Sequence, residues 1–233
     1  MVQSLTTLAR RALRRVKRHL RPPLHRPDRY VAYVFLGSEY GGWPVLKDSL
    51  TPDSCVYCFG VGDDISFDLA LIERFGCGVR AFDPTPRSVR WVQRAGPPDR
   101  FRFFPVGLSD KTRTLRFSAP PKAAHVSYTT GARDSETDIV ELPVKALDEI
   151  LADTGDGGKT IDLLKMDIEG SEYDAVPDMI AKGILPRQLC IEIHHGMFGY
   201  SNDQTRGVVD ALRAAGYTLY FVSDSGQEYG FFR

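Results

Sequence analysis

Residues 161–176 read IDLLKMDIEGSEYDAV and are the most informative stretch of this chain for its fold. The segment begins as an apolar run and then places four carboxylates, Asp167, Glu169, Glu172 and Asp174, around Gly170. An apolar strand that ends at acidic residues and a glycine is typical of an open α/β sheet, in which ligands bind beyond the carboxyl ends of the strands. The alternative is a buried strand followed by a solvated helix start, where carboxylates suit the helix dipole. Glu172 and Asp174 are predicted to be such helix-start charges, whereas Asp167 and Glu169 are candidate contacts of an acceptor or a metal.

Short apolar runs alternate with helical patterns along the rest of the chain, which indicates a mostly parallel sheet with helices on both faces. Strands are predicted at 56–60, 79–82, 101–106, 161–167 and 189–194, with extra strand pieces at 114–117 and 138–144. Helices are predicted at 66–75, 87–94, 147–152, 173–182 and 204–215. The strands at 217–222 and 228–232 are joined by a connection too short for a helical crossover, so they are predicted to form an antiparallel hairpin.

The chain has 233 residues and a formal charge of zero, which hides an uneven distribution. Residues 1–29 contain nine Lys or Arg and one acid, a net charge of +8, so the remainder carries −8. An acidic body argues against nucleic acid lying along it. Cys55 and Cys58 lack the second pair that a zinc site needs, and all four cysteines adjoin apolar segments. Buried free thiols are therefore expected, which suits a reducing cytosol.

The basic N-terminal arm, residues 1–22, is predicted to contain an amphipathic helix that begins near Ser4 and ends at Pro22 and Pro23. One interpretation is peripheral contact of residues 4–20 with an anionic membrane surface. A second is docking of its apolar stripe on the domain or on a second subunit, as in a homodimer, and a third is a flexible arm that contacts nucleic acid. A connecting segment at 23–50 with a Gly-rich turn at 41–44 then leads to a domain at 51–233. The expected location is cytoplasmic, with the inner face of the membrane as the alternative.

A glycine loop, residues 59–66 (FGVGDDIS), follows the first parallel strand. Gly60 and Gly62 let the backbone approach a ligand closely. Ile65 occupies the position of the third glycine in the dinucleotide fingerprint, which disfavours NAD. Asp83, at the end of the next strand, can accept the two hydroxyls of a ribose. The alternative for Asp83 is a turn residue ahead of Pro84.

Six motifs in this order resemble the FkbM family of methyltransferases that use S-adenosylmethionine (SAM). They are FGVG at 59–62, AFDP at 81–84, VGLSD at 106–110, LDEI at 147–150, LKMDIEGSE at 164–172 and IEIH at 191–194. The resemblance covers residue 56 to the C-terminus and implies a class I, Rossmann-like methyltransferase fold. It implies O-methylation of a hydroxyl on a saccharide, glycolipid or related natural product. The residues expected to bind SAM are Gly60, Gly62, Asp63, Asp64, Ser66, Asp83, Pro84, Gly107, Leu108 and Asp167.

Two positions depart from the family pattern. The first loop of the family usually reads Asp-x-Gly-Ala-x-x-Gly, and the ribose acid is usually Glu where this chain has Asp83. The loop form found here resembles a divergent branch that includes animal methyltransferase-like proteins.

A sugar hydroxyl holds its proton at neutral pH, so methyl transfer to it needs a general base or a metal. Glu192 and His194 would share one face of a strand, next to Asp167 and Glu169 on the neighbouring strand. His194 is predicted as the general base, with Glu192 orienting it and Asp167 beside them. The alternative for His194 is a structural histidine near a strand end. Asp167 and Glu192 are also candidate ligands for Mg²⁺, which prefers oxygen.

The acceptor is predicted to be a small molecule or an oligosaccharide bound by Glu169 and by a polar loop at 125–130. His125, Ser127 and Tyr128 are the candidate acceptor contacts in that loop, and His125 is an alternative base. Two other functions stay open at this point. One is an NAD-dependent oxidoreductase on a similar sheet, and the other is a non-catalytic, membrane-associated module that retains the fold.

Overall fold

A computed structural model describes residues 23–118, 139–197 and 199–233. The predicted arm at 1–22 and the polar loop at 125–130 lie outside the described residues. The described elements are, in chain order, β1 (Tyr33–Leu36), β2 (Trp43–Leu46), β3 (Val56–Phe59), α1 (Ser66–Phe75), β4 (Val79–Phe82), α2 (Pro86–Ala95), β5 (Phe101–Phe104), β6 (Gly107–Leu108), β7 (Arg113–Ser118), β8 (Ile139–Lys145), α3 (Leu147–Asp153), β9 (Leu163–Met166), α4 (Glu172–Ala181), β10 (Gln188–Glu192), α5 (Asn202–Ala214), β11 (Thr218–Val222) and β12 (Glu228–Phe232).

A seven-stranded sheet in the order β11-β12-β10-β9-β3-β4-β5 forms the centre of the molecule. Strands β10, β9, β3, β4 and β5 are parallel neighbours, and β12 is antiparallel to both β10 and β11. The predicted mostly parallel sheet with a C-terminal antiparallel hairpin is therefore confirmed. All five predicted helices are present, and their bounds differ from the prediction by less than one turn.

Apolar layers cover the sheet on both faces. Alternate residues of the central strands point to opposite faces, so Cys58 packs with Leu71 of α1, while Tyr57 packs in the larger cluster that contains α3, α4 and α5. Val92 of α2 joins Ala81 on the same side as α1. The four cysteines are buried free thiols, as predicted.

The connecting segment predicted at 23–50 is integrated into the fold. β1 and β2 pair as an antiparallel sheet, and Trp43 and Val45 are buried against the face that carries α1. The turn predicted at 41–44 is shorter than expected, since β2 begins at Trp43. The main-chain N–H of Leu46 donates to Oε1 of Gln188 in β10 at 2.9 Å, which ties this segment to the central sheet.

A small sheet in the order β6-β8-β7 stands beside the main one and contains the two predicted extra strands, β7 and β8. Gly107 and Leu108 of β6 are buried, and β6 runs parallel to β8. Across the residues that the structure describes, no helix has both the length and the apolar character needed to cross a membrane.

Candidate active site

A cleft of about 780 Å³ opens at the carboxyl ends of the parallel strands. Strands β3, β9 and β10 end in register, so the residues that follow or end them, Gly60, Asp167 and Glu192, emerge side by side. All three line the cleft. Because ligands of open α/β sheets bind at this edge, the cleft is the candidate active site.

The glycine loop begins where β3 enters the cleft. Gly60 has φ +86° and donates its N–H to the carbonyl of Phe82 at 2.9 Å. A Cβ added at Gly60 would lie 1.9 Å from the carbonyl oxygen of Asp167, so no other residue fits without moving β9. Gly62 also has positive φ, +59°. Both glycines line the cleft, but the close approach that Gly60 permits is that of the Asp167 carbonyl, so the contact with SAM predicted for the two glycines stays a prediction.

Asp83 lies beside the glycine loop and accepts hydrogen bonds from five groups. Its Oδ2 accepts from the N–H groups of Val61 and Gly62, both at 3.0 Å, and from the hydroxyl of Ser88 at 2.9 Å. Its Oδ1 accepts from the N–H and the hydroxyl of Thr85 at 2.8 and 2.6 Å. An ionised carboxylate has about four lone-pair sites. Asp83 thus organises the loop, and the ribose contact predicted for it stays a prediction.

The remaining loop residues predicted to bind the cofactor connect three parts of the chain. Asp64 accepts from the hydroxyl of Ser38 at 2.5 Å and from the N–H of Ser66 at 2.7 Å. Partial burial raises the pKa of Asp64, but the hydrogen bonds from Ser38 and Ser66 outweigh it and leave the pKa below the usual range. Asp63 forms an ion pair with Arg87 of α2 at 2.9 Å. Three more predicted residues, Pro84, Gly107 and Leu108, line the same cleft.

Lys165 is a buried lysine beneath the loop. Its ammonium group donates to the carbonyls of Gly60 at 2.6 Å and Phe59 at 3.2 Å, and lies 3.8 Å from Oδ2 of Asp167. It also lies 5.6 Å from the centre of the Trp43 ring. These contacts couple the tips of β3 and β9 to the connecting segment, and they place a fixed positive charge at the floor of the cleft.

Four carboxylates surround the imidazole of His194. Nδ1 is hydrogen-bonded to Oε1 of Glu172 at 3.1 Å. Nε2 faces Glu169 at 3.4 Å, Glu192 at 3.7 Å and Asp167 at 3.8 Å. The structure thus brings together the three predicted catalytic residues and the predicted acceptor contact Glu169. It gives the role of orienting His194 to Glu172 rather than to Glu192.

The charges in this cluster decide its protonation. Burial lowers the pKa of His194, but the hydrogen bond and charge of Glu172, with the charges of Glu192 and Asp167, raise the pKa to about 10. Burial, followed by the charge of Asp167, raises the pKa of Glu192 well above that of an ordinary carboxyl. His194 is therefore an imidazolium at neutral pH, where it cannot accept a proton. Glu192 is a candidate proton acceptor in its ionised form.

Glu172 is the residue that the sequence most clearly misassigned. It was predicted, with Asp174, to be a solvated charge at a helix start. Asp174 is exposed, but Glu172 is fully buried and accepts from the N–H groups of Ile168 at 2.9 Å and Gly170 at 2.7 Å. The prediction was wrong because the N–H groups of Ile168 and Gly170 and the Nδ1 of His194 meet the Glu172 carboxylate only in the folded chain. The nearest sequence signal is the position of Glu172 two residues after a glycine at the first turn of α4.

An aromatic rim at the cleft mouth was also missed. Phe35, Tyr40, Met197 and Phe221 line the cleft, and Tyr40 is 83% exposed. The rings of Phe35 and Phe221 are 6.4 Å apart, so the connecting segment and the C-terminal hairpin meet at this rim. Aromatic residues in such a segment usually indicate core, and nothing in the local sequence marks these as cleft residues.

Single ligand atoms of Asp167, Glu172 and His194 all lie within 4.8 Å of one another, a spacing that a metal ion can bridge. This set fits Mg²⁺ poorly, because each oxygen of Glu172 already accepts a main-chain N–H and the third ligand is a nitrogen. The predicted pair, Asp167 and Glu192, lies on the Nε2 side of His194. The magnesium assignment to that pair stays a prediction, as do the acceptor contacts at His125, Ser127 and Tyr128, outside the described residues.

Comparison with protein families identifies the chain. The family model described as the methyltransferase FkbM domain matches residues 46–219. The chain belongs to the FkbM methyltransferase family. The match begins at the last residue of β2 and ends within β11, so it includes β3, β4, β9 and β10, whose carboxyl ends border the cleft.

Solved structures show the fold of this FkbM domain. A methyltransferase FkbM from Methylobacillus flagellatus KT is 16% identical, with a TM-score of 0.50 over 79% of this chain and 44% of that protein. The chain thus spans less than half the length of that protein. A methyltransferase from Pyrococcus furiosus gives 10% identity and a TM-score of 0.36 over 78% of this chain and 75% of that one. A fibrillarin from Aeropyrum pernix, solved with SAM natively bound, is 7% identical, with a TM-score of 0.42 over 90% of this chain and 85% of that one. No curated protein sequence matches the chain.

Proposed function

We propose that this protein is a SAM-dependent O-methyltransferase that acts on a hydroxyl of a saccharide, a glycolipid or a related natural product. The observation that carries the proposal is that the glycine loop and the carboxylate cluster around His194 face one cleft. Membership of the FkbM family supports SAM-dependent methyl transfer in general. The choice of a hydroxyl acceptor and of its class rests on the chemistry of the cleft.

The residues of the loop side fit SAM. Gly60 and Gly62 line the cleft, and the backbone of the loop and Asp83 are fixed in place before a ligand arrives. The acidic lining suits a ligand that carries a sulfonium and an ammonium group. When bound, SAM supplies a methyl group on a positively charged sulfur, which needs an in-line nucleophile and little else. The main task of the protein is therefore to position the acceptor.

The part of the cleft lined by Phe35, Tyr40 and the carboxylates around His194 fits a polyhydroxylated acceptor. The exposed rings of Phe35 and Tyr40 offer flat surfaces against which the C–H face of a sugar ring packs. Glu169, Glu192 and Asp167 offer oxygen acceptors for hydroxyl groups. The acidity of this side disfavours phosphorylated or carboxylated acceptors, because like charges repel in a partly buried site.

The cluster around His194 gives a route for the acceptor proton. The acceptor oxygen takes the methyl carbon as the carbon–sulfur bond of SAM breaks and S-adenosylhomocysteine leaves. The hydroxyl proton passes to the ionised carboxylate of Glu192, whose raised pKa makes that form more basic than an ordinary carboxylate. The His194 imidazolium stabilises the carboxylates that surround it, and Glu172 holds the imidazole in place. Glu192 is thus assigned the proton transfer that the sequence assigned to His194.

The first test is cofactor binding. S-adenosylhomocysteine at a hundred times its dissociation constant should stabilise the native state by about 2.7 kcal/mol. That stabilisation corresponds to a rise in melting temperature of roughly 5–10 °C for a chain of this size. NAD serves as the control ligand. A shift with NAD and none with S-adenosylhomocysteine would reject the proposal in favour of an oxidoreductase.

The second test is transfer of a tritiated methyl group from SAM to a panel of neutral mono- and oligosaccharides, with phosphorylated sugars as the contrasting set. Glu192→Gln should lower kcat by about 10²-fold or more. Asp203→Asn is the matched control, since Asp203 is 89% exposed on α5. Product NMR distinguishes an O-methyl from an N-methyl group. Parallel assays with a chelator test the magnesium prediction, and turnover that is unchanged by the chelator excludes it.

A further inference from the structure

Glu169 has a backbone conformation that glutamate rarely adopts. Among the described residues, Glu169 and Asp48 are the two non-glycine positions with positive φ, and both have φ +55°. Asp48 belongs to an exposed turn, with its side chain 73% exposed and 3.9 Å from Arg74. Glu169 lies inside the cleft. Left-handed backbone is unfavourable for a residue with a long side chain, so the surrounding structure must impose it at Glu169.

The buried carboxylate of Glu172 imposes this conformation. Oε1 of Glu172 accepts from the N–H of Ile168 at 2.9 Å, and Oε2 accepts from the N–H of Gly170 at 2.7 Å. These are the amide groups of the two residues that flank Glu169. With both amides aimed at one carboxylate, the chain between them has to turn tightly, and the left-handed conformation of Glu169 closes that turn.

The same carboxylate fixes the partner of Glu169. Oε1 of Glu172 is hydrogen-bonded to Nδ1 of His194 at 3.1 Å, and the opposite ring nitrogen, Nε2, then lies 3.4 Å from Oε2 of Glu169. One buried group therefore determines both the backbone of Glu169 and the orientation of the imidazole that its carboxylate faces.

We propose that Glu172 is a positioning residue that holds Glu169 in a strained left-handed conformation, so that the Glu169 carboxylate faces His194 and the bound acceptor. The strain is retained because it serves the acceptor side of the reaction. We call the hydrogen bonds from Ile168 and Gly170 to Glu172, which hold Glu169 in this conformation, the clamp. The purpose of the clamp rests on the proposed function, but the clamp itself is a property of the protein without ligand and is testable separately.

The clamp is tested by thermal unfolding of a double-mutant cycle. Glu169→Gly removes the strain and should raise the melting temperature by about 1–3 °C, and Asp48→Gly is the matched control with a similar rise. Glu172→Gln should lower the melting temperature by about 2 °C more in the Glu169→Gly background than in the wild type. In the wild type, loss of the Glu172 contacts is partly offset because the backbone strain at Glu169 is released, and a glycine at 169 has no such strain to release. Additive effects would overturn the clamp. Asp48→Gly combined with Glu172→Gln should be additive.

Amide hydrogen exchange gives a readout that survives if Glu172→Gln does not fold. In the wild type, the N–H groups of Ile168 and Gly170 should be protected, because they donate to a fully buried carboxylate. Exchange of both at the rate of an open loop would contradict the clamp. This measurement needs neither cofactor nor acceptor.

The purpose of the clamp is tested by turnover on the acceptor found in the saccharide screen. Glu169→Gly should lower kcat by about 10–100-fold while the affinity for S-adenosylhomocysteine stays that of the wild type. Asp48→Gly should keep the wild-type kcat. A Glu169→Gly variant with wild-type turnover would show that the strain serves no step of the reaction. Failure of the wild type to bind S-adenosylhomocysteine would instead reject the proposed function and leave the unfolding and exchange results valid.

Discussion

Replacement of Asp83 by asparagine separates two roles of this residue. If Asp83 serves only to bind ribose, Asp83→Asn weakens SAM binding and leaves the protein without ligand as stable as the wild type. The structure predicts a different result, since the carboxylate accepts five hydrogen bonds within the protein itself.

The magnitude follows from the donors. An asparagine side chain best keeps its oxygen toward Val61, Gly62 and Ser88, which places its NH₂ group against the N–H of Thr85. The hydroxyl of Thr85 is able to rotate and accept, but its buried N–H loses its partner. An unsatisfied buried N–H costs about 1–3 kcal/mol, and the remaining bonds lose the charge that strengthens them. We expect a loss of about 3 kcal/mol, or a melting temperature lower by roughly 6–12 °C.

The assay is thermal unfolding without ligand, followed by circular dichroism, with Asp63→Asn as the matched control. Asp63→Asn removes the same charge from the same cleft, but the ion pair of Asp63 with Arg87 is partly exposed and is worth at most about 1 kcal/mol. An Asp83→Asn protein that melts within about 2 °C of Asp63→Asn would refute the reasoning, since that difference corresponds to less than about 1 kcal/mol.

Three further substitutions test other contacts. Lys165→Met keeps the buried stem but loses the hydrogen bonds to Gly60, so S-adenosylhomocysteine should bind about tenfold more weakly by calorimetry. Gly60→Ala should cost more than about 3 kcal/mol in urea unfolding, because its Cβ meets Asp167, whereas Gly96→Ala has open space and should cost about 1–2 kcal/mol. Burial raises the pKa of Asp68 to about 6 in the folded protein, from 3.8 in the unfolded chain. The folded state therefore has its full stability below pH 3.8, where Asp68 is protonated in both states, and loses stability as the pH rises through 6. The free energy of unfolding of Asp68→Asn should therefore exceed that of the wild type by about 2–3 kcal/mol at pH 8 and match it near pH 4. An equal gain at both pH values would disprove the raised pKa of Asp68.

The sequence predicts the sheet and its helices well because those elements depend on local patterns. Short apolar runs bounded by glycine, proline or acidic residues become β3, β4, β9 and β10, and the short connection at 223–227 becomes the hairpin. The residues at the strand ends follow directly, since parallel strands place their carboxyl ends at one edge. That is why the sequence alone places Asp167 and Glu192 side by side.

The roles of single carboxylates were harder to predict, because they depend on partners distant in sequence. Glu172 pairs with His194, and Asp64 pairs with Ser38, which belongs to a segment that the sequence treats as a connection. Asp83 looks like a ribose ligand from its position alone, but the donors that occupy it come from a loop and from the first turn of α2. Burial raises the pKa of Glu192, whereas the hydrogen bond and charge of Glu172 raise that of His194 against the effect of burial, and neither environment can be predicted from a local sequence pattern.

The position of β12 has a consequence for how the chain is made. This strand lies between β10 and β11 in the sheet, although it follows both of them in sequence. Until residue 232 has been synthesised, β10 has an open edge and β11 has no neighbour in the central sheet. Open apolar edges of this kind promote association between chains. A growing chain therefore stays exposed to misassembly until β12 is inserted, and variants that slow this insertion should aggregate during synthesis even if the folded protein is stable.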